Sequence, residues 1–352
     1  MESSYKKGEV EILLKDITGK LPQLSNKERE ARIQSGIHYS EMLPLEYVPT
    51  QRYMEAYSFA LKNMSVKTAD AISFLAEQIL EKKSENAVIV SLARAGIPAG
   101  ILVKRYIFNK YRINVPHYAI SIIRDRGIDK NALNYILERH SAQNIQFLDG
   151  WIGKGTIARE LEKSVSAYDE LSAELAAVSD PSGTSSIVGT YEDLLIPSAL
   201  LNSTVTGLIS RTVLNRSVIG ENDFHGAAYY KELKESDLSN AFLDEVSANF
   251  NYYTDFGKIK KPEISGPEII YDLANKLGIE DINFIKPGIG EATRVLLRRT
   301  PDIMLINENF ADSPDLNHLY TLAKERNVRC TVSPVPLKAY KAAGIIKKLK
   351  DI

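Results

Sequence analysis

Three short apolar runs lie between residues 87 and 178, each followed by a polar or glycine-bearing turn and then a helix-patterned stretch. Ala87-Val-Ile-Val-Ser-Leu92 leads into Arg94-Ala-Gly96 and a helix expected over 97–108. His117-Tyr-Ala-Ile-Ser-Ile-Ile123 leads into a charged loop and a helix over 131–139, and Ile145-Gln-Phe-Leu148 into a glycine loop and a long helix over 156–178. The runs are continuous rather than alternating, so each strand is expected to be buried on both faces, as in a parallel sheet with helices on either side. Such sheets place ligands beyond the carboxyl ends of their strands, where the polar loops of this chain fall.

At 352 residues the chain is long enough for a large and a small domain. Residues 1–35 read as an N-terminal arm and 36–256 as the main α/β domain, within which 187–250 are irregular. The proline- and lysine-bearing stretch 257–267 reads as a linker, and 268–352 resume an α/β pattern ending in a short helix. No apolar run approaches the ~18 residues of a membrane helix, and the charged opening residues lack a secretory signal's pattern. The expectation is a cytoplasmic protein with no membrane partner. Cys330 is the only cysteine, which excludes a disulfide or a cysteine-ligated zinc site within the chain. Net charge is −1, yet from Asn283 onward 12 Lys and Arg face 7 Asp and Glu. A basic C-terminal region fits a phosphate-rich partner, and equally a solvated lysine tail.

The loop Phe147-Leu-Asp-Gly-Trp-Ile-Gly-Lys-Gly-Thr156 carries the strongest chemical signal. An ionised Asp149 at a strand end offers two acceptor oxygens to vicinal sugar hydroxyls. Gly150, Gly153, Gly155 and Thr156 let backbone N–H groups turn inward at a helix N-terminus, and Lys154 adds a point charge. Together they suit a ribose 5′-phosphate. A Walker loop needs Ser or Thr after its lysine, and Gly155 stands there instead. The Arg94, Ala95, Gly96 turn suits a diphosphate by the same logic. Ordinary strand-to-helix turns are the plain alternative for both loops.

In this order of strands and loops the chain resembles the type I phosphoribosyltransferases. It resembles more closely the phosphoribosyltransferase–Pelota fusions of tellurite-resistance and stress operons, a family also labelled cysteine protease StiP. The stretches carrying the resemblance are His38 to Pro44, Ser121 to Asp129, Phe147 to Thr156, Ile196 to Thr204 with Ser210-Arg-Thr212, and Asp223 to Ala227. The resemblance implies a type I phosphoribosyltransferase-like sheet, a base-pocket insert over 187–250 and a smaller α/β/α Pelota-like domain. It implies transfer from phosphoribosyl diphosphate to a base, with Mg²⁺ held mainly by the substrate and no direct protein ligand. Asp149, Arg124, Arg126 and His225 are then the catalytic candidates, Arg94 with Ala95 and Gly96 the pyrophosphate site, and Asn202, Thr204, Arg211 and His225 the base pocket. A core role for His225 stays open, as does a solvated turn for Arg124 and Arg126. Gly150 stands where those enzymes carry a second acid, so a non-catalytic, phosphoribosyl-diphosphate-responsive RNA-binding regulator is the alternative.

The C-terminal stretch Lys286 to Arg299 has a glycine turn opening a helix with Arg294, Arg298 and Arg299 on it. It is similar to the Pelota RNA-binding fold, which implies structured RNA as a partner of Gly288, Gly290, Glu291, Thr293 and Arg294. A cysteine protease acting through Cys330 is set aside at this stage. That residue sits in an apolar run between Arg329 and Thr331, with no histidine near it in sequence except His318. The acceptor, the RNA target and any oligomer are not legible.

Overall fold

A computed structural model describes the chain except for Tyr47, residues 253–256, Lys258 and residues 349–352, and except for the side chain of Arg298. Lys258 and Arg298 belong to the expected linker and basic helix and so lie partly outside the described residues. The helices are α1 Asn26–Gln34, α2 Gln51–Lys83, α3 Gly96–Tyr111, α4 Lys130–Leu137, α5 Thr156–Val165, α6 Ser239–Ala248, α7 Gly266–Leu277, α8 Ile289–Arg298 and α9 Asn317–Glu325.

The main sheet runs in the order Glu11–Ile12, His117–Ile123, Val88–Ala93, Ile145–Trp151, Leu175–Ser179, Val188–Thr190, all parallel. Gly127–Ile128 folds back antiparallel on Ile122 and Ile123. The two-sided burial read from the sequence holds: every residue of His117–Ile123 is buried. Helices α2, α3 and α6 cover one face, through residues such as Ile72, Ile101 and Phe242, and α4 and α5 cover the other, through Leu133 and Leu161. The result is a mixed α/β architecture with a parallel central sheet flanked by helices and a smaller C-terminal region.

Three expectations are corrected. The helix read over 156–178 stops at Val165, and Leu175–Ser179 is a fully buried strand. Leu-Ala-Ala-Val is apolar without alternation, which a buried helix and an inner parallel strand share, and periodicity alone cannot separate them. Part of the N-terminal arm belongs to the sheet, since Glu11 and Ile12 pair with Tyr118 and Ala119. The short final helix is instead the strand Ala342–Ile346, buried throughout and paired antiparallel between Ile285–Pro287 and Pro301–Ile306. Arg329–Val332 completes this second sheet, parallel to Pro301–Ile306.

The two regions share a core. Tyr53, Tyr57 and Met64 of α2 pack in one apolar cluster with Leu296 of α8 and Leu319 of α9. Burying apolar side chains at about 25 cal/mol per Å² makes such a shared cluster a strong clamp. The glycine loop of the first sheet meets the N-terminus of the second region's helix α8, where Gly288 stands against Trp151.

Candidate functional site

The glycine loop predicted to carry the chemistry is held by the C-terminal region. The strand continues through Trp151 before the chain turns. Gly155, in the left-handed region at φ 68°, sets the turn into α5. Tyr340 donates its hydroxyl to the Gly153 carbonyl at 2.6 Å. Lys154 donates to the carbonyls of Ile282 and Ile285 at 3.1 and 3.4 Å, and burial pushes its ammonium down to about 7. Asp149 accepts the Gly150 N–H at 2.7 Å. Burial raises its carboxyl to about 6, against the pull of Arg294.

Asp149, Trp151, Tyr39, Arg211 and Arg294 line two adjoining cavities. The inner one, about 270 Å³, has an apolar floor that includes Leu92, Ile122 and Phe242. The outer one, about 900 Å³, opens between the main sheet's loops, α1 and the C-terminal region. Its walls carry Arg29, Arg124, Lys154, Lys286, Arg294 and Arg299, among others. Several of these act on one another: Lys286 and Arg124 help depress Lys154, and Arg29 and Arg299 help depress Arg211.

The sequence-predicted residues divide. Asp149, Gly150, Arg94, Ala95 and Arg211 meet around the inner cavity, and Gly153, Lys154, Gly155, Thr156 and Arg124 line the outer one. Arg94 is buried with its guanidinium on the Ile209 carbonyl at 2.6 Å and on Glu46 at 3.2 Å. Gly96 begins α3 behind it. Arg124 pairs with Asp125 at 3.0 Å and reaches Asn283 at 3.2 Å. Arg126 pairs with Glu41 at 3.2 Å and lines neither cavity. His225 is likewise away from both: its Nδ1 meets Ser121 Oγ at 2.9 Å and its backbone N–H donates to Asp129 at 2.5 Å. Asn202 and Thr204 are buried and line neither cavity, whereas Thr206 and Thr212 line the inner one.

The predicted RNA residues divide as well. Glu291 and Arg294 face the outer cleft and pair at 2.5 Å. Gly288 lies at φ 83° against Trp151, and Thr293 is buried, donating to the Ile289 carbonyl and meeting His318 Nε2 at 2.9 Å. Gly290 is buried in the same turn. The N-terminus of α8 points inward: the Ile289 N–H donates to Asp193 at 2.9 Å, and the Lys341 N–H donates to the same carboxylate oxygen at 2.8 Å. Asp193, Tyr340, Arg29 and Glu30 escaped the sequence reading, whereas Tyr39 lies in the stretch His38 to Pro44 that carried the resemblance. None of the four sits in a motif, and their roles arise only when the two regions meet.

Cys330 lies at mid-strand opposite Met304, half-buried against the α9 core. Burial raises its thiol above the ordinary value. Among the described residues no histidine hydrogen-bonds its sulfur. His318 meets Thr293 through its Nε2, its buried Nδ1 having no partner, and burial pushes its imidazole down to about 4. Among the described residues no group of three His, Cys, Asp or Glu is placed to hold a metal ion. No described helix is long and apolar enough to cross a membrane.

The fold and site define a two-part α/β protein whose smaller, Pelota-like part closes a cationic cleft over the loops of a parallel sheet. The chain belongs to the family described as tellurite-like stress resistance cysteine protease StiP, whose model matches residues 3–247. The PELOTA RNA binding domain matches residues 264–348. A relative from Acinetobacter baylyi (strain ATCC 33305 / BD413 / ADP1), named cysteine protease StiP, is 34% identical over 365 aligned residues, spanning 98% of this chain and 94% of its own. These findings correct the expected activity. Family and relative carry the name of a protease, a hydrolase, and neither carries that of a glycosyltransferase using phosphoribosyl diphosphate. Setting aside a cysteine protease was therefore at odds with the family's own name.

Proposed function

We propose that this chain is a stress-resistance protein that binds structured RNA in the cleft between its Pelota domain and its α/β body. The observation that carries the reading is the position of the Pelota-matched segment. Its Lys286, Glu291, Arg294 and Arg299 form one wall of the cleft, and Arg124 and Lys154 of the body form another. Binding a polyanion releases its condensed counterions, so affinity falls with salt in proportion to the phosphates neutralised. Peptide hydrolysis, the activity in the family's name, falls in this chain to Cys330, its only cysteine. Among the described residues no histidine hydrogen-bonds that thiol, which burial raises, and RNA binding is the reading the geometry of the cleft supports best.

Fluorescence anisotropy with a folded stem-loop RNA, run at several salt concentrations, tests this. The native chain should bind with a salt slope of several phosphates. Arg124→Ala with Lys286→Ala should weaken binding at least about tenfold and flatten the slope by about 1 to 2. Native binding that ignores salt, or variants that bind like the native chain, would refute the reading.

A further inference from the structure

Where α1 meets the inner end of the cleft, four guanidinium groups gather around two carboxylates. Arg299 is matched: its Nε and Nη2 donate to Glu30 at 2.6 and 3.0 Å. Arg94 is matched by Glu46 and the Ile209 carbonyl. The other two are not. Arg29 is 2% exposed, and its Nε and Nη1 have no hydrogen-bond partner. Arg211 lies 4.4 Å over the Tyr39 ring and donates no side-chain hydrogen bond among the described residues. Both line the outer cleft, and Arg211 also faces the inner cavity.

Arg211 is part-buried, whereas the Arg29 donors are out of reach of water; leaving charged donors unpaired there is costly, so such groups are normally matched. Here burial and mutual repulsion push Arg211 down to about 9, and Arg29 is the first charge acting on it. Arg29 is depressed by its own burial and then by Arg299. Glu46 opposes these effects at Arg29, but one of its oxygens is already on Arg94 and the other has no partner. Asp149, across the neck, is governed first by its burial and the Gly150 N–H, and the charge that acts on it most is Arg294. Two positive charges are thus left over in a walled space, each a planar fork that matches tetrahedral oxyanions.

We infer that Arg29 and Arg211, backed by the Tyr39 ring, form a receptor for a phosphate monoester dianion at the inner end of the cleft. A monoester carries close to two negative charges at neutral pH, against one for each internal phosphodiester. The site therefore selects a terminal phosphate over the backbone of a nucleic acid. This goes beyond the RNA reading, because a small phosphorylated molecule has the same headgroup.

The test is calorimetric titration of the full chain with inorganic phosphate, with adenosine 5′-monophosphate, and with one oligoribonucleotide prepared 5′-phosphorylated and 5′-hydroxyl. The native chain should bind inorganic phosphate and the monophosphate saturably. Arg211→Ala and Arg29→Gln should each weaken this at least about tenfold, as expected for a lost charge-assisted contact. Arg211→Lys keeps the charge without the fork and should bind at an intermediate level. Its circular dichroism, compared with the native spectrum, keeps misfolding from imitating lost binding. A preference of tenfold or more for the 5′-phosphorylated strand assigns the headgroup to an RNA end. Equal strands with saturable monophosphate binding assign it to a small molecule, and neither strand binding while phosphate does would sink only the RNA reading. No saturable binding of phosphate or monophosphate by the native chain, or folded variants that bind as the native chain does, overturns the inference.

Discussion

Asp193 fastens the two regions together, and its replacement has an effect whose size can be worked out. The residue is 1% exposed. One carboxylate oxygen accepts the backbone N–H of Ile289, at the start of α8, and that of Lys341, just before the strand Ala342–Ile346. Burial raises the acid from its ordinary 3.8 to about 6. At 1.36 kcal/mol per unit, ionising it costs about 3 kcal/mol more in the folded chain than in the unfolded one. Because the folded value lies above the unfolded one, this contribution to stability is fully present below about pH 4 and is lost as pH rises through 6. Asp193→Asn keeps an acceptor oxygen for both amides and has no proton to lose. Asp193→Ala strands two buried N–H groups, at about 1–3 kcal/mol each. The alanine chain should therefore be about 2–6 kcal/mol less stable than the asparagine chain at every pH. The native chain should drift downward relative to both by up to about 3 kcal/mol between pH 4 and pH 7. Urea unfolding at pH 4.5, 6 and 7.5 measures all three, with hydrogen exchange at Ile289 and Lys341 as a local readout. Equal stability of the alanine and asparagine chains, or a native chain parallel to them across pH, would refute the account.

Gly288→Ala should cost about 2–4 kcal/mol, because a Cβ there would stand 2.2 Å from Trp151 Cζ2 in a left-handed backbone at φ 83°. Trp151 is the only tryptophan, so its emission shift reports the displacement directly. Glu30→Ala removes the buried partner of Arg299 and should destabilise the chain by about 3 kcal/mol in thermal melts. In the anisotropy assay it should tighten RNA binding, since it adds one uncompensated charge to the cleft wall. Cys330→Ser should abolish any thiol-dependent proteolysis the chain has and leave RNA binding unchanged. The native thiol should react with an aromatic disulfide reagent at pH 7 more slowly than a free cysteine, as its raised value and half-burial require.

Strands whose apolar runs end in a turn were readable from the sequence because their burial is continuous and their boundaries are marked. Val88–Ala93 and His117–Ile123 are of this kind. Leu175–Ser179 and Ala342–Ile346 were not: each contains adjacent alanines, which suit a helix as well as a strand, and only pairing with neighbours decides between them. The candidate site splits on the same line. Asp149, Lys154 and Arg94 announce themselves by their glycine-bearing turns. His225 looked like a pocket base because it sits among Asp223 and Phe224 in sequence, yet Ser121 and Asp129 hold it inside. Arg29 sits mid-helix in a charged segment that reads as solvated. Its burial depends on α1 docking through Glu30 to an arginine 269 residues away.

That docking explains why neither part of the chain contains the cleft alone. Glu30 on Arg299 brings α1 over the end of α8, Asp193 anchors the start of the same helix, and Tyr340 and Lys154 tie the glycine loop to the second sheet. A Pelota domain offering its α8 N-terminus to RNA would need those amides free, and here the Ile289 amide is given to Asp193. The surface left for a polyanion is the side of α8 that carries Glu291 and Arg294, together with cations supplied by the body. Recognition is then a property of the junction. Any change that loosens the clamp at Asp193 or Glu30 should alter binding without touching a residue of the cleft's cationic wall, and a double-mutant cycle between Asp193→Ala and Arg294→Ala would read the coupling.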